Sequence, residues 1–282
     1  MYNLNGKVAI VTGAGGRNGI GRAIATRLAQ EGADVVVTDI EQSLDAIRPE
    51  DLQAGWQGLP SVVAEIEAMG RQSLGLFSDV SDSAQVDVMV GQVLAKFGHI
   101  DILVNNAGSR PGRDRVPVIE LEEDAFDEVM RVNVRGTYLC SRAVARHLVE
   151  RGGPGKIISI SSGAGKRGIA RYAVYCASKF AIVGFTQALA QELAPQRINV
   201  NAICPGLVDT ERVDFIAAAL VPEGQSSQEH RAMMIQERNL RVPLGRVAAG
   251  DDIARMAAFL ASSESDYMTG LSISVSGGAE MN

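Results

Sequence analysis

The stretch KVAIVTGAGGRNGIGRAIATRLAQ, residues 7–30, joins a short apolar run to a glycine-rich turn and a helical pattern. Residues 7–12 are largely apolar and β-branched, which is typical of a strand buried on both faces of a parallel sheet. The glycines of residues 13–21 follow directly, and apolar residues then recur at helical spacing, at Ile20, Ala23, Ile24 and Leu28. Strand, glycine turn and helix in this order predict a turn whose backbone approaches a pyrophosphate at the helix N-terminus.

The alternation of strands and helices continues along the rest of the chain without a linker or an internal repeat. Further apolar runs predict strands near residues 34–39, 73–77, 100–104, 156–160, 198–203 and 271–275. Helical patterns separate them, near residues 61–69, 82–97, 122–150, 172–193, 211–240 and 251–261. This order predicts one doubly wound parallel sheet with helices on both faces, a Rossmann-type three-layer α/β/α domain over residues 1–282.

Two segments depart from the regular alternation. Residues 41–60 carry prolines, glycines and Trp56 without a clean period, so we interpret them as a surface insertion with a short helix at 49–53. Trp56 is interpreted as a packing anchor, with a position over the adenine or at a subunit contact as the alternatives. Residues 211–240 are helical but polar and are interrupted near 222–227, which favours a mobile lid over the substrate.

Composition limits the classes of function. The chain of 282 residues has a net charge of −6, which argues against nucleic acid or an acidic membrane as a partner and favours a small-molecule substrate. Its three cysteines and three histidines are dispersed, so we expect reduced thiols in a cytoplasmic protein and no metal site. The first residues lack a signal-peptide pattern, and we expect no apolar run of membrane-spanning length.

A serine, a tyrosine and a lysine are spaced as in an acid–base site. Tyr175 and Lys179 are four residues apart in a predicted helix, so they share one face. An ammonium beside a phenol favours the phenolate and lowers its pKa from about 10, which makes the phenol useful near neutral pH. Ser162 follows a predicted strand and could hold the substrate oxygen. A bare Tyr-x-x-x-Lys is usually only a helix surface, but several predicted strands deliver polar residues to the same crevice.

Residues 8–278 resemble the short-chain dehydrogenase/reductase family. The resemblance implies that Tyr175 exchanges a proton with the substrate and that Ser162 polarises the substrate oxygen. It also implies that Lys179 lowers the pKa of Tyr175 and binds the nicotinamide ribose, and that Asn133 holds a water molecule that connects Lys179 to solvent. The motifs that carry the resemblance are the glycine turn, Asp79-Val80, Asn105-Asn106-Ala107-Gly108, Asn133, Ser162, Tyr175, Lys179 and Pro205-Gly206.

The predicted cofactor site combines the glycine turn, the strand ends and the family motifs. The turn and the second strand contribute Gly13, Gly15, Arg17, Asn18, Gly19, Ile20, Asp39 and Ile40. The resemblance adds Asp79, Val80, Asn105, Ala107, Gly108, Tyr175, Lys179, Pro205, Gly206, Val208 and Thr210. The residues expected at the substrate are Arg110, Ser162, Gly163 and Leu207. Basic residues flank the predicted crevice and could recognise a carboxylate or a polyol; the favoured alternative for several of them is a solvated surface charge or a subunit contact. They are Arg110, Arg113, Lys166, Arg167 and Arg171.

The choice of cofactor depends on Asp39, at the end of the second predicted strand. A carboxylate there accepts hydrogen bonds from the adenosine ribose and repels the 2′-phosphate of NADP, so we predict NAD. The turn has five residues between Gly13 and Gly19, more than is usual in the family, and it contains Arg17, which keeps NADP as the alternative. The predicted activity is interconversion of a secondary alcohol and its ketone. The alternatives are an NADPH-dependent 3-oxoacyl-type carbonyl reductase and a non-catalytic dinucleotide sensor.

The predicted helices at 122–150 and 172–193 carry apolar residues on more than one face. In this architecture one face of each helix packs on the sheet, so the other face needs a partner. The pattern and the resemblance together predict a homo-oligomer, most simply a tetramer.

Overall fold

The computed structural model describes residues 2–40 and 47–281, so residues 41–46 of the predicted insertion lie outside the described residues. Within these residues, seven parallel strands form one sheet in the order β3-β2-β1-β4-β5-β6-β7. This arrangement confirms the predicted doubly wound, Rossmann-type fold. The order reverses between β1 and β4, where such sheets bind ligands. The strands are β1 (Val8–Thr12), β2 (Asp34–Asp39), β3 (Ser73–Phe77), β4 (Ile102–Asn105), β5 (Gly155–Ile160), β6 (Ile198–Pro205) and β7 (Ser272–Val275).

Helices cover both faces of the sheet. They are α1 (Ile20–Gln30), α2 (Pro49–Gln53), α3 (Leu59–Ala68), α4 (Ser83–Phe97), α5 (Glu123–Met130), α6 (Gly136–Arg151), α7 (Ala173–Leu193), α8 (Glu211–Leu220), α9 (Ser227–Arg241) and α10 (Gly250–Ala261). One buried apolar cluster joins the sheet to α1, α3 and α10, and a second joins it to α4, α6 and α7. Strand β1 contributes Ala9 and Val11 to the first cluster and Val8 and Ile10 to the second, because successive side chains of a strand point to opposite faces.

The largest difference from the sequence-based prediction lies in the helix expected at 122–150. It consists of α5 and α6, joined by a π-helical turn at Arg131–Arg135. Such turns insert an extra residue into a helix and are common at functional sites. The segment expected to form a lid, 211–240, is the helix pair α8 and α9, and no residue of α9 is buried.

Helix α7 corrects another expectation. Within the described residues it is the one helix with the length and apolar character of a membrane span, although we expected no such run. Internal helices of soluble proteins pass the same test, and α7 packs against β6 and carries Tyr175 and Lys179. Its apolar residues follow from packing on more than one side.

The described part of the insertion packs against the glycine turn. Helix α2 coincides with the predicted short helix at 49–53. The Trp56 side chain is buried, and its indole Nε1 donates a hydrogen bond to the carbonyl oxygen of Gly15 at 3.0 Å. The Arg22 guanidinium lies over the indole, 5.2 Å from its centroid. The interpretation of Trp56 as a packing anchor is confirmed, and what it anchors is the turn.

Candidate active site

Three of the four predicted catalytic residues meet at the carboxyl end of β5. Ser162 lies two residues after this strand, and Tyr175 and Lys179 lie one turn apart near the N-terminus of α7. The Ser162 hydroxyl accepts a hydrogen bond from the Ala164 backbone N–H at 3.1 Å and lies near enough to the Tyr175 phenol to lower its pKa. The Lys179 ammonium nitrogen is 5.7 Å from the centroid of the Tyr175 ring and donates a hydrogen bond to the Ile160 carbonyl oxygen at 2.8 Å.

The electrostatic surroundings of Tyr175 favour its ionised form. Burial raises the pKa of Tyr175, but nearby positive charges and the Ser162 hydroxyl outweigh that effect, so its pKa lies below the usual value. The groups that lower it are, in order of effect, Arg212, Lys179, Ser162 and Arg115. Burial lowers the pKa of Lys179, and the negative charge of an ionised Tyr175 opposes this. A phenol with a lowered pKa can exchange protons closer to neutral pH.

Asn133, the fourth predicted residue, lies in the π-helical turn and is fully buried. Its Oδ1 accepts a hydrogen bond from the Ser109 backbone N–H at 2.8 Å, and its Nδ2 donates to Ser178 Oγ at 3.0 Å. The Ser178 hydroxyl in turn donates to the Tyr175 carbonyl oxygen at 2.8 Å. Asn133 therefore connects the loop after β4 to the helix that carries Tyr175, and the π turn aims its side chain between them.

A cavity of about 890 Å³ opens beside these residues, a volume suited to a ligand of cofactor or drug size. Tyr175 and Lys179 line the cavity, and so does most of the predicted binding set: Gly13, Gly19, Ile20, Asp39, Ile40, Asp79, Val80, Ala107, Gly108, Arg110, Ser162, Gly163, Pro205, Gly206, Leu207, Val208 and Thr210. Residues that were predicted separately from several strand ends thus share one crevice.

Several predicted residues do not line this cavity. The Asn105 side chain is buried and donates to Ser141 Oγ at 2.9 Å, so it braces the sheet instead. The Asn18 backbone N–H donates to a Glu211 carboxylate oxygen at 2.8 Å. Arg17 pairs with the buried Asp51, at 3.1 Å between Nη1 and Oδ1. Gly15 also lies outside the lining, and its N–H is bound to the Asp39 carboxylate, as described below.

The basic residues proposed at the substrate divide into two groups. Arg110 and Arg167 line the cavity. Arg113 instead forms an exposed ion pair with Asp124, and Arg171 is exposed with φ 65°, the left-handed conformation. Lys166 is half-buried and outside the lining.

The glycine turn fits a dinucleotide on two observations. A Cβ atom at Gly13 would lie 2.7 Å from the Ala107 Cα, so this close approach of two backbones requires glycine. Gly19 is the N-cap residue of α1 and has no side chain that could cap the helix. The first N–H groups of α1 are therefore available to an anion. The Glu211 carboxylate on Asn18 already shows that the turn accepts an oxyanion.

Two backbone N–H groups hold the Asp39 carboxylate at the end of β2. Its Oδ2 accepts a hydrogen bond from the Gly15 N–H at 2.8 Å, and its Oδ1 accepts one from the Ile40 N–H at 2.9 Å. Burial raises the pKa of Asp39, and these two hydrogen bonds partly offset the effect. Asp39 lines the cavity.

Two arginines beside the Tyr175 ring were not predicted as site residues. Arg115 is almost fully buried, and its guanidinium carbon lies 4.2 Å from the ring centroid of Tyr172 and 4.5 Å from that of Tyr175. The Arg212 guanidinium carbon lies 5.2 Å from the Tyr175 centroid. Arg115 lies in the same loop as Arg110 and Arg113, but nothing in the spacing of these residues distinguishes a buried arginine from an exposed one. Arg212 is the second residue of α8 and lies two residues after Thr210, which was predicted to bind the cofactor. This position could have suggested that Arg212 lines the cavity.

Comparisons with known proteins agree with this geometry. A family model described as enoyl-(acyl carrier protein) reductase matches residues 13–280. A short-chain dehydrogenase/reductase of Armillaria gallica is 39% identical over 97% of this chain and 95% of its own length. Sorbitol dehydrogenase of Cereibacter sphaeroides is 37% identical over 99% of both chains. Galactitol 2-dehydrogenase of Agrobacterium fabrum is 38% identical, again over 99% of both.

A solved structure of xylitol dehydrogenase with bound NAD⁺ superposes with a TM-score of 0.82 and 32% identity, covering 98% of this chain and 99% of that one. Sequence, fold and site therefore assign the chain to the short-chain dehydrogenase/reductase family. It is an oxidoreductase of the class that acts on alcohol CH–OH groups, as predicted, and the dehydrogenase relatives disfavour the non-catalytic sensor alternative.

Proposed function

We propose that this protein is an NAD-dependent dehydrogenase that interconverts a secondary alcohol and its ketone, with Tyr175 as the acid–base group. The observation that carries the proposal is the position of the Tyr175 hydroxyl. The Ser162 hydroxyl and the Lys179 ammonium are near enough to this hydroxyl to lower its pKa, and all three side chains line a cavity that the glycine turn also lines.

Oxidation of a secondary alcohol removes a hydride from carbon and a proton from oxygen. NAD, when bound, supplies the acceptor for the hydride. The alcohol oxygen would accept a hydrogen bond from the Ser162 hydroxyl and give its proton to the Tyr175 phenolate as the carbonyl forms. In the reverse direction the Tyr175 phenol returns the proton. Lys179 acts on this step through its charge, which stabilises the phenolate.

The remaining residues hold these groups in position. The hydrogen bond from Lys179 to Ile160 fixes the ammonium beside the phenol, and Ser161 Oγ anchors the Lys179 backbone by donating to its carbonyl oxygen at 2.9 Å. Asn133 fixes the first turns of α7 through Ser178. Fixed geometry of this kind contributes to the rate because little reorganisation is needed during the reaction.

The positions of Asp39 and Arg17 explain why NAD is preferred to NADP. Asp39 would face the 2′-phosphate and repel it. Arg17, the residue that made NADP an alternative, is held by Asp51. The solved structure of the similar xylitol dehydrogenase contains NAD⁺. By name, the relatives act on sorbitol and galactitol, which supports a secondary alcohol with polar neighbours as the substrate.

Fluorescence titration with NADH and NADPH, followed by a turnover screen of secondary alcohols, polyols and hydroxy acids with both oxidised cofactors, tests the proposal. Tyr175→Phe should reduce kcat by at least about a hundredfold and leave NADH affinity within a few-fold, because the phenol carries the proton and little of the cofactor. The matched control is Tyr267→Phe, at a fully exposed tyrosine, which should keep wild-type turnover. More than a tenth of wild-type kcat in Tyr175→Phe would exclude Tyr175 as the acid–base group.

A further inference from the structure

A cluster of positive charge borders Tyr175 in addition to Lys179. Arg115 and Arg212 lie with their guanidinium carbons 4.5 and 5.2 Å from the centroid of the Tyr175 ring. Both line the cavity, and Arg238 of α9 lines it as well. Lys179 is the cation that the proton transfer proposed above uses. The two guanidinium groups also lower the pKa of Tyr175, and their position at the cavity wall fits a second role in binding a ligand.

Arg115 has unused hydrogen-bonding capacity. The residue is 1% exposed, and its Nη1 donates to the adjacent Asp114 carboxylate. Its Nε and Nη2 are buried and have no partner of hydrogen-bond geometry within the described residues, although the guanidinium is near enough to the Tyr172 hydroxyl to affect its pKa. Buried donors without acceptors are rare and costly, and at a cavity wall they indicate a ligand that supplies the acceptors. The fork of an arginine matches a carboxylate in particular.

Arg212 is also available for an anion. It donates one hydrogen bond, from Nη1 to the Ser109 carbonyl oxygen at 2.8 Å, and forms no ion pair with any residue in the described ranges. Asp114 balances the charge of Arg115, and Glu280 balances that of Arg167. The charge of Arg212 therefore remains unbalanced at the wall nearest Tyr175.

We infer that Arg115 and Arg212 bind a carboxylate of the substrate, which makes the substrate a hydroxy acid and the product the corresponding oxo acid. Both guanidinium groups lie against the ring of Tyr175, so the carboxylate is within a few bonds of the reacting carbon. The carboxylate is unchanged in the reaction. The hydride leaves the carbinol carbon and the proton leaves its oxygen, as described above. The inference rests on the proposed function and specifies its substrate class.

Matched pairs of acids and neutral analogues test this inference. The pairs are gluconate with sorbitol, and D- and L-3-hydroxybutyrate with the corresponding 3-hydroxybutyramides, each with NAD. We expect kcat/KM to favour an acid by at least tenfold in one pair, because a neutral analogue leaves the buried donors unpaired. Equal or better turnover of sorbitol and the amides would overturn the inference and leave the proposed dehydrogenase activity intact. Failure of every alcohol would instead contradict the proposed function.

Substitutions identify the residues involved. Arg115→Gln should raise KM for the preferred acid by at least tenfold with a smaller change in kcat, and should lower kcat/KM for the acid at least fivefold more than for the paired amide, because the effect of Arg115 on the pKa of Tyr175 is common to both substrates. Arg113→Gln, in the same loop but ion-paired outside the cavity, is the matched control and should behave as wild type. If Arg115→Gln does not fold, as judged by thermal melting and NADH binding, Arg212→Gln takes its place. An equal loss for acid and amide would overturn the assignment.

Binding without turnover gives a separate measurement. Malonate should bind the NADH complex, detected by NADH fluorescence, whereas its neutral analogue malonamide should not. Arg115→Gln or Arg212→Gln should weaken malonate binding by at least tenfold with unchanged NADH affinity. Equal binding of malonate and malonamide, or no effect of either substitution, would overturn the inference even if no substrate in the panel reacts.

Discussion

Tyr175 is in contact with more positive charge than a single lysine supplies, and this should be visible in the pH dependence. In oxidation the phenolate accepts the proton, so kcat/KM should rise with pH and level off above the pKa of Tyr175. Arg212 contributes most among the groups that lower this pKa. Arg212→Gln should therefore move the midpoint of the profile to higher pH.

Arg246→Gln is the control for this measurement. Arg246 is exposed and pairs with Asp252 outside the cavity, so its removal should leave the midpoint unchanged. The position of the midpoint is the relevant quantity, because the height of the profile also depends on substrate binding. An unchanged or lower midpoint in Arg212→Gln would mean that this guanidinium does not stabilise the phenolate.

Asp39 and Arg17 make opposite contributions to the sequence-based prediction of the cofactor, and the structure separates them. Asp39→Ala should lower kcat/KM with NAD and raise the NADP/NAD ratio by about tenfold or more, because a ribose acceptor and a repulsive charge are lost together. Arg17→Ala should leave the ratio unchanged, because Asp51 already holds that guanidinium. If Arg17→Ala shifts the ratio instead, Arg17 reaches the ribose when the cofactor is bound.

At the scale of single residues, the sequence predicted best where a motif fixes both residue type and spacing. The four-residue spacing alone places Tyr175 and Lys179 on one helix face. Ser162 follows its strand by two residues. Arg115 could not be found in this way, because its burial depends on how an irregular loop packs against Tyr172 and Tyr175. The same limit applies to Asn105, whose strand-end position is right but whose side chain turns into the sheet.

Among the elements, the insertion and the segment 211–240 interact through charge. Arg48, just before α2, pairs with Asp51 at 2.7 Å and with Asp214 of α8 at 2.9 Å. Asp214 also pairs with Arg231 of α9. Arg17 and Trp56 join the glycine turn to the insertion. The ion pairs of Arg48, Asp214 and Arg231 then connect the insertion to helices α8 and α9.

Helices α8 and α9 are proposed to form a lid that orders over cofactor and substrate. Phe215 and Ile216 of α8 line the cavity, whereas no residue of α9 is buried and Met233 is half exposed. Helix α9 has few buried contacts and is held by ion pairs, and both features favour local opening of the segment. Hydrogen exchange of residues 211–240 should therefore slow when NADH and malonate are both added.

Helix α10 is the internal reference for this measurement, because half of its residues are buried in the core and its exchange should not respond. Protection of 211–240 that is the same with and without ligands, while the glycine turn responds, would exclude the lid. High ionic strength should speed exchange of α9 in the free protein, since exposed ion pairs are screened by salt.

The strands and most helices could be predicted because apolar periodicity reports which face of an element is buried. The π-helical turn at Arg131–Arg135 could not, because it depends on the hydrogen bonds of Asn133 to Ser109 and Ser178 rather than on local pattern. Helix α7 was placed correctly but was not recognised as apolar enough to resemble a membrane span. Both misses occur where an element serves the site as well as the core.

For the whole molecule, the apolar residues left exposed on α6 and α7 predict self-association. Tyr138 and Phe180 are 41% and 46% exposed, and Tyr138 makes an edge-on contact with Phe185 of α7. Burying a large apolar side chain contributes about 1.5–3 kcal/mol, so a few such residues stabilise an interface. The prediction of a homo-oligomer, most simply a tetramer, therefore assigns the interface to this face of α6 and α7.

Sedimentation velocity at micromolar concentration measures the association directly. Wild-type protein should sediment well above the 29.9 kDa of one chain, with a tetramer near four times that mass. Phe180→Asp should shift it toward smaller species, because a carboxylate in an apolar interface loses its hydration without gaining a partner. Tyr267→Asp, at a fully exposed aromatic away from both helices in sequence, should leave the mass unchanged. A monomer mass for the wild type would contradict self-association. If Phe180→Asp leaves the mass of the oligomer unchanged, the interface lies on another face.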